Sequence, residues 1–135
     1  MATATTSDTL PLQTEHDIVV CRQMVRKLTQ ELVFSLVDQT KMVTAASELA
    51  RNTVIYGGGG RLHWAVLREG TRAGLRLSFE DEGPGIPDVA QAMTDGWTSG
   101  TGLGLGLSGA KRLVNEFHID TQAGKGTRVT IARWK

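Results

Sequence analysis

Leu75-Arg-Leu-Ser-Phe-Glu-Asp81-Glu-Gly-Pro-Gly-Ile-Pro87 alternates apolar and polar residues and then breaks at a Gly-Pro-Gly turn. Period-two alternation predicts a strand with Leu75, Leu77 and Phe79 on its buried face. The same alternation puts Asp81 on that face, at the strand's end. A carboxylate that faces an interior needs hydrogen-bond partners. It would accept well from an N–H₂ group such as the exocyclic amine of adenine, and Gly83 and Gly85 would let a flat ring approach beside Ile86. The plainer alternative is a Gly/Pro turn whose aspartate caps its own backbone.

The neighbouring segments decide the fold class. Leu62, Trp64 and Val66 alternate with Arg61, His63 and Ala65, a second strand. Towards the C-terminus, Ile119 to Ala123 and Arg128 to Trp134 read as strands joined by Gly124-Lys125-Gly126, a hairpin signal. Towards the N-terminus, Val20, Met24, Leu28 and Leu32 recur every four residues and predict a helix over Glu15 to Leu32. Asp38 to Tyr56 reads as a second helix, ended by the run Gly57 to Gly60. Asp88 to Thr94 and Ser108 to Phe117 add two shorter helices. Leu10-Pro-Leu-Gln13 suits a short edge strand, where proline is tolerated. The order β-α-α-β-β-α-α-β-β pairs helices and pairs strands. It predicts an α+β two-layer sandwich, a mixed but mostly antiparallel sheet with helices on one face. Residues 1–9 are expected to form a disordered tail and residues 10–135 a single domain.

Composition excludes several functions. The 135 residues carry 15 basic and 14 acidic side chains, a net charge of +1, so no basic surplus draws the chain to nucleic acid or to a membrane surface. No apolar run approaches a bilayer span, and the first nine residues lack the basic and apolar regions of a signal peptide. One cysteine, Cys21, forms no internal disulfide, which fits a cytoplasmic protein. His16, His63 and His118 are dispersed, against a metal cluster. Glycine is the unusual number: 16 residues, about 12% where ~7% is usual. Ten of them lie between Gly83 and Gly126. Such clustering suggests a loop-lined site.

Three further segments carry candidate chemistry. On the second predicted helix, Leu49, Met42, Thr53, Ala46, Ala50, Val43 and Val54 fall on one arc of roughly 140°. Glu48 and Asn52 lie off that arc, one turn apart. They are either a solvated face or a carboxylate base beside an amide oxygen able to ligate Mg²⁺. Gly100-Thr-Gly102-Leu103-Gly104-Leu105-Gly106-Leu107-Ser-Gly109 runs into a helix whose free N–H groups would favour phosphate. Gly104, Gly106 and Gly109 fit G-x-G-x-x-G, but the strand before them and the surrounding βαβ unit are missing, so a nicotinamide site is the weaker reading. Gly126-Thr127 opens the last strand, and the Thr127 hydroxyl would reach the adenine edge beside Asp81. Trp97, within the glycine-rich stretch, is a candidate for partner contact.

Taken together, Glu48-Leu-Ala-Arg-Asn52, Asp81-Glu-Gly83-Pro-Gly85, Gly102-Leu-Gly104-Leu-Gly106-Leu and Gly126-Thr127 resemble, in order and spacing, the four boxes of the GHKL (Bergerat-fold) ATP-binding superfamily. The bare domain looks like the anti-sigma-factor serine/threonine kinases. Within them, Asn52-Thr-Val-Ile-Tyr56-Gly57 is similar to the stressosome switch kinases (RsbT-type). The resemblance implies an ATP- and Mg²⁺-dependent kinase acting on serine or threonine of STAS-domain antagonist or scaffold proteins. It also implies a downstream target, a phosphatase regulator or another protein of a sigma-factor pathway. Asn52 would hold Mg²⁺ and Glu48 would be the base. Asp81 and Thr127 would read adenine, with Gly83, Gly85 and Ile86 shaping its pocket. Gly102, Leu103, Gly104, Leu105, Gly106 and Leu107 would form the lid and phosphate contacts. The lid, residues 96–107, contains no Lys or Arg, so Arg51, Lys111, Arg112 or the substrate protein would supply a cation to the phosphates. The alternative is a nucleotide-gated binding module with little transferase activity.

Overall fold

The computed structural model describes residues 2–93 and 106–135. Five strands form one sheet: β1 (Thr3–Leu12), β2 (Gly60–Glu69), β3 (Arg72–Asp81), β4 (Glu116–Gln122) and β5 (Gly126–Trp134). Their spatial order is β1-β2-β3-β5-β4, and every neighbouring pair is antiparallel. The helices are α1 (Glu15–Glu31), α2 (Leu36–Arg51), α3 (Val89–Ala92) and α4 (Leu107–Arg112). This is the α+β architecture expected, with a fully antiparallel sheet.

Register aligns the buried side chains in rows. Leu62 pairs with Phe79 and Phe79 with Val129; Trp64 pairs with Leu77 and Leu77 with Ile131. These residues face the helices and share one core with Met42, Ala46 and Leu49 of α2. The other sheet face is polar. There Glu80 lies 2.7 Å from Arg61, its partner on β2, and 3.8 Å from Arg128, its partner on β5.

Each main helix starts at a side-chain cap. Thr14 accepts from the Asp17 amide at 3.2 Å, and Asp17 accepts from the Gln13 and Thr14 amides at 2.9 and 3.2 Å. Ser35 accepts from the Asp38 amide at 3.1 Å to open α2. The buried apolar stripe of α1 is Ile18, Cys21, Val25 and Leu28, continued by the C-cap residue Leu32. The expected row of Val20, Met24, Leu28 and Leu32 rotates by roughly 120° over its length, whereas alternating steps of three and four hold within roughly 80°. In α2, Ala45 is also fully buried, because α1 covers a flank that the sheet-facing arc does not include.

Two expectations are corrected. The N-terminal residues are not a loose tail: β1 starts at Thr3 and pairs with β2 from Thr3↔Arg68 to Leu12↔Gly60. Residues 3–9 are exposed, so their backbone bonds rather than apolar burial hold them, and hydropathy does not register such a strand. Threonines at 3, 5, 6 and 9 suit it. The last helix ends at Arg112 rather than Phe117. Phe117 and Ile119 pair with Ile131 and Val129 on the covered face, so the helix stops five residues early and the strand starts three residues early, at Glu116. The Arg133 guanidinium fixes that change. It donates to the Leu113 carbonyl at 2.8 Å, just past α4, and to the Asp38 carboxylate of α2 at 2.7 Å.

Among the described residues, no helix is long and apolar enough to cross a membrane. Cys21 is buried in the core, and burial pushes its thiol up to about 12.

Candidate active site

The site forms where the end of α2 meets the ends of β3 and β5. Helix α2 runs on into a π-helical turn, Asn52–Tyr56, closed by the Gly57 amide donating to the Asn52 carbonyl at 2.8 Å. The wider turn brings Thr53 and Tyr56 to the cavity side of the helix. The Thr53 hydroxyl donates back to the Leu49 carbonyl at 2.9 Å, and the Tyr56 hydroxyl reaches the Gly85 carbonyl at 3.4 Å. Widened turns of this kind recur at functional sites.

A narrow cavity of about 20 Å³, partly open to solvent, lies under this turn. Asn52, Asp81, Ile86, Leu107 and Thr127 line it, together with Leu49, Thr53, Tyr56, Phe79 and Val129. The wall is mainly apolar, with Asp81 and Thr127 at the end where β3 finishes and β5 starts.

Asp81 stands at that end, paired directly across the strands with Thr127. Its carboxylate accepts from the Gly83 amide at 2.9 Å and from the Thr127 amide. Burial raises its pKa above the usual carboxylate value and the charge of Glu80 adds to this, while the two amide bonds oppose it. The aspartate therefore caps its own turn, the plainer of the two alternatives, and also lines the cavity.

The surrounding backbone is fitted to this carboxylate. Gly57 has an ordinary helical φ of −79°, yet a Cβ on it would fall on the Asp81 carboxyl group. Gly83 packs against the Gly57 backbone, and Gly85 lies against the Gln122 carbonyl. Ile86 is buried, and its amide donates to the Thr121 hydroxyl at 2.9 Å.

Glu48 is at the rim rather than in the wall. Its side chain is 38% exposed, and Arg51 lies 4.0 Å away, a weak surface contact. Gly106 closes over it from the start of α4, with φ 62°, and a Cβ there would stand 2.5 Å from the Glu48 Oε2. Leu107 is buried in the cavity wall. Gly102, Leu103, Gly104, Leu105 and Trp97 lie outside the described residues.

The described residues hold no cluster of three or more His, Cys, Asp or Glu side chains fit for a metal ion. Mg²⁺ keeps waters and substrate oxygens and takes one or two protein ligands. The Asn52 amide oxygen is of the right kind.

Sequence reading missed Thr121, Phe79, Val129, Leu49 and Thr53 as site residues, and gave Gly57 no role beyond a helix stop and a place in the motif that carries the resemblance. Thr121 was within reach of the hairpin signal. A turn over residues 123–125 pairs Gln122 with Gly126, and so Thr121 with Thr127.

Comparison with known proteins identifies the family. Residues 37–135 match the family described as histidine kinase-, DNA gyrase B-, and HSP90-like ATPase. The chain is 44% identical over 123 residues to the serine/threonine-protein kinase RsbT of Bacillus subtilis (strain 168), covering 91% of this chain and 92% of that one. It is 30% identical over 117 residues to an anti-sigma F factor of Clostridium novyi (strain NT), covering 83% and 82%. Among solved structures, the RsbU and RsbW domains of Rv1364c from Mycobacterium tuberculosis superpose with a TM-score of 0.62 at 22% identity, over 96% of this chain and 32% of that one. The catalytic domain of the histidine kinase ThkA superposes with a TM-score of 0.51 at 14% identity, over 95% of both chains. These two show a shared fold. The chain belongs to the histidine kinase-, DNA gyrase B- and HSP90-like ATPase family, in its branch of serine/threonine-protein kinases and anti-sigma factors.

Proposed function

We propose that this protein is a cytoplasmic partner-switching kinase that moves the γ-phosphoryl group of ATP, with Mg²⁺, to a serine or threonine of a STAS-domain antagonist. The observation that carries the reading is Asp81: a half-buried carboxylate at the polar end of an apolar slot, opposite Thr127. Such an acceptor suits the exocyclic amine of adenine and repels the 6-oxo group of guanine. Phe79, Ile86 and Val129 supply the apolar wall for the ring.

With adenine at Asp81, the phosphates run towards the end of α2. There the Asn52 oxygen would hold Mg²⁺. The metal, when bound, neutralises charge on the phosphates. Glu48, at the solvent-facing rim, is open to an incoming protein side chain. Its carboxylate takes the proton of the substrate hydroxyl as that oxygen bonds to the γ-phosphorus. The bond to the β–γ bridging oxygen breaks, and ADP leaves. Gly102, Leu103, Gly104, Leu105, Gly106 and Leu107 would supply the lid and phosphate contacts, as the family resemblance implies. Nucleotide state then sets the surface offered to a scaffold, a phosphatase regulator or another sigma-pathway protein.

The contact of Glu48 with Gly106 also favours a second reading, a nucleotide-gated binding module in which the lid selects partners without transfer. Incubation with a STAS-domain protein and γ-labelled ATP separates the two. The kinase reading expects label on a serine or threonine of the partner. An unlabelled partner, with nucleotide demonstrably bound to this protein, refutes transfer.

A further inference from the structure

A hydroxyl outside the cavity wall touches both of the elements that line its polar end. Thr121, on β4, accepts from the Ile86 amide at 2.9 Å and lies 2.9 Å from the Thr127 hydroxyl and 3.2 Å from the Gly126 carbonyl. A hydroxyl has one proton to give and two lone pairs. The Ile86 amide occupies one lone pair. The proton then has two destinations, and the choice fixes the polarity of Thr127.

If Thr121 donates to the Gly126 carbonyl, Thr127 must donate to Thr121 and shows the cavity only lone pairs. If Thr121 donates to Thr127, the Thr127 proton is free to point at a ligand. Adenine carries an acceptor at N1, next to the amine that faces Asp81, so it requires the second arrangement. We propose that Thr121 is a specificity-determining positioning residue: it turns the Thr127 hydroxyl into a donor to the ring N1 of a 6-aminopurine nucleotide.

The same oxygen ties this polarity to the shape of the slot. Its bond to the Ile86 amide pins the turn over residues 83–87, whose Ile86 side chain lines the cavity. One atom therefore sets both where the ring edge sits and what it meets. The Thr121–Thr127 register, with Asp81 across from Thr127 on the next strand, places the two readers side by side.

The inference rests on the reading that the cavity takes adenine, and calorimetry on the full chain separates the two. ATP and 1-deaza-ATP, in which N1 is replaced by C–H, are titrated into the wild type, Thr121→Val, Thr121→Ser and Asp81→Asn. Loss of one neutral hydrogen bond makes the wild type bind 1-deaza-ATP about tenfold more weakly than ATP. Thr121→Val leaves the Thr127 proton unordered among its rotamers, which weakens ATP but not 1-deaza-ATP, so the ratio shrinks to roughly threefold, and Thr121→Ser restores it. If Thr121→Val weakens both nucleotides equally, or leaves ATP binding intact, Thr121 is merely structural and the proposal is overturned. If Asp81→Asn holds ATP as tightly as the wild type, the adenine reading itself fails, whatever Thr121 does.

Discussion

The carboxyl group of Asp81 fills the space that a side chain on Gly57 would need. The two residues lie on different elements, the π-helical turn after α2 and the end of β3, and the absence of a Cβ on one positions the acid of the other. Gly57 has an ordinary φ, so alanine there costs no backbone strain; its effect is steric. Gly57→Ala is expected to fold and to lose ATP affinity about tenfold or more, because Asp81 must turn from the slot. Thermal-shift titration with ATP checks this. An alanine variant with wild-type affinity would show that the close approach has no part in binding.

Glu48 is half-exposed and outside the cavity wall, so its loss should separate chemistry from binding. Glu48→Gln keeps the shape and removes the base. Transfer to the partner protein is expected to fall at least ~100-fold, with the ATP dissociation constant within about threefold of the wild type. Single-turnover labelling and calorimetry on the same preparation measure the two.

Burial holds the Asp81 pKa above its ordinary value, and this fixes the sign of a pH effect. The folded chain binds that proton more tightly than the unfolded chain does. Its contribution to stability is therefore greatest at acid pH, declines as pH rises from the unfolded value through the raised one, and stays low above it. Chemical denaturation without nucleotide should show this decline, and Asp81→Asn should remove it. Nucleotide affinity runs the other way, weakening as the carboxylate is protonated.

Much of this was open to the sequence. Alternation through Leu75, Leu77 and Phe79 located both the strand and the inward aspartate, because period two is a direct consequence of strand geometry. The pairing of helices and strands gave the layer architecture. Strand β1 was not legible before Leu10, because its exposed residues are held by backbone and threonine hydrogen bonds rather than by apolar burial. The end of α4 was misread because Phe117 suits either period until its register with Ile131 is known. Thr121 went unnoticed because a strand threonine is ordinary. Only its three simultaneous contacts distinguish it.

Between α1 and α2, Val33 has a φ of 61° and is 66% exposed. A β-branched residue is strained in the left-handed region, and glycine is not. Val33→Gly removes that strain and loses no core contact. It should stabilise the protein by about 1 kcal/mol, seen as a melting temperature raised by a few degrees.

Arg133 joins α2, the end of α4 and β5 through Asp38 and the Leu113 carbonyl, and its Nε has no hydrogen-bond partner among the described residues. The pair is largely buried, so removing one partner strands the other. Asp38→Asn is expected to cost about 2 kcal/mol in denaturant unfolding. Arg133→Met with Asp38→Asn should cost less than the sum of the two single changes.

The dissociation constant of ATP for the wild type against Asp81→Asn bears most directly on the site. A charge-assisted bond to the purine amine predicts a loss of roughly 10- to 100-fold, with folding intact. Equal affinity in the two proteins would contradict the placement of adenine at Asp81 and the phosphate path built from it.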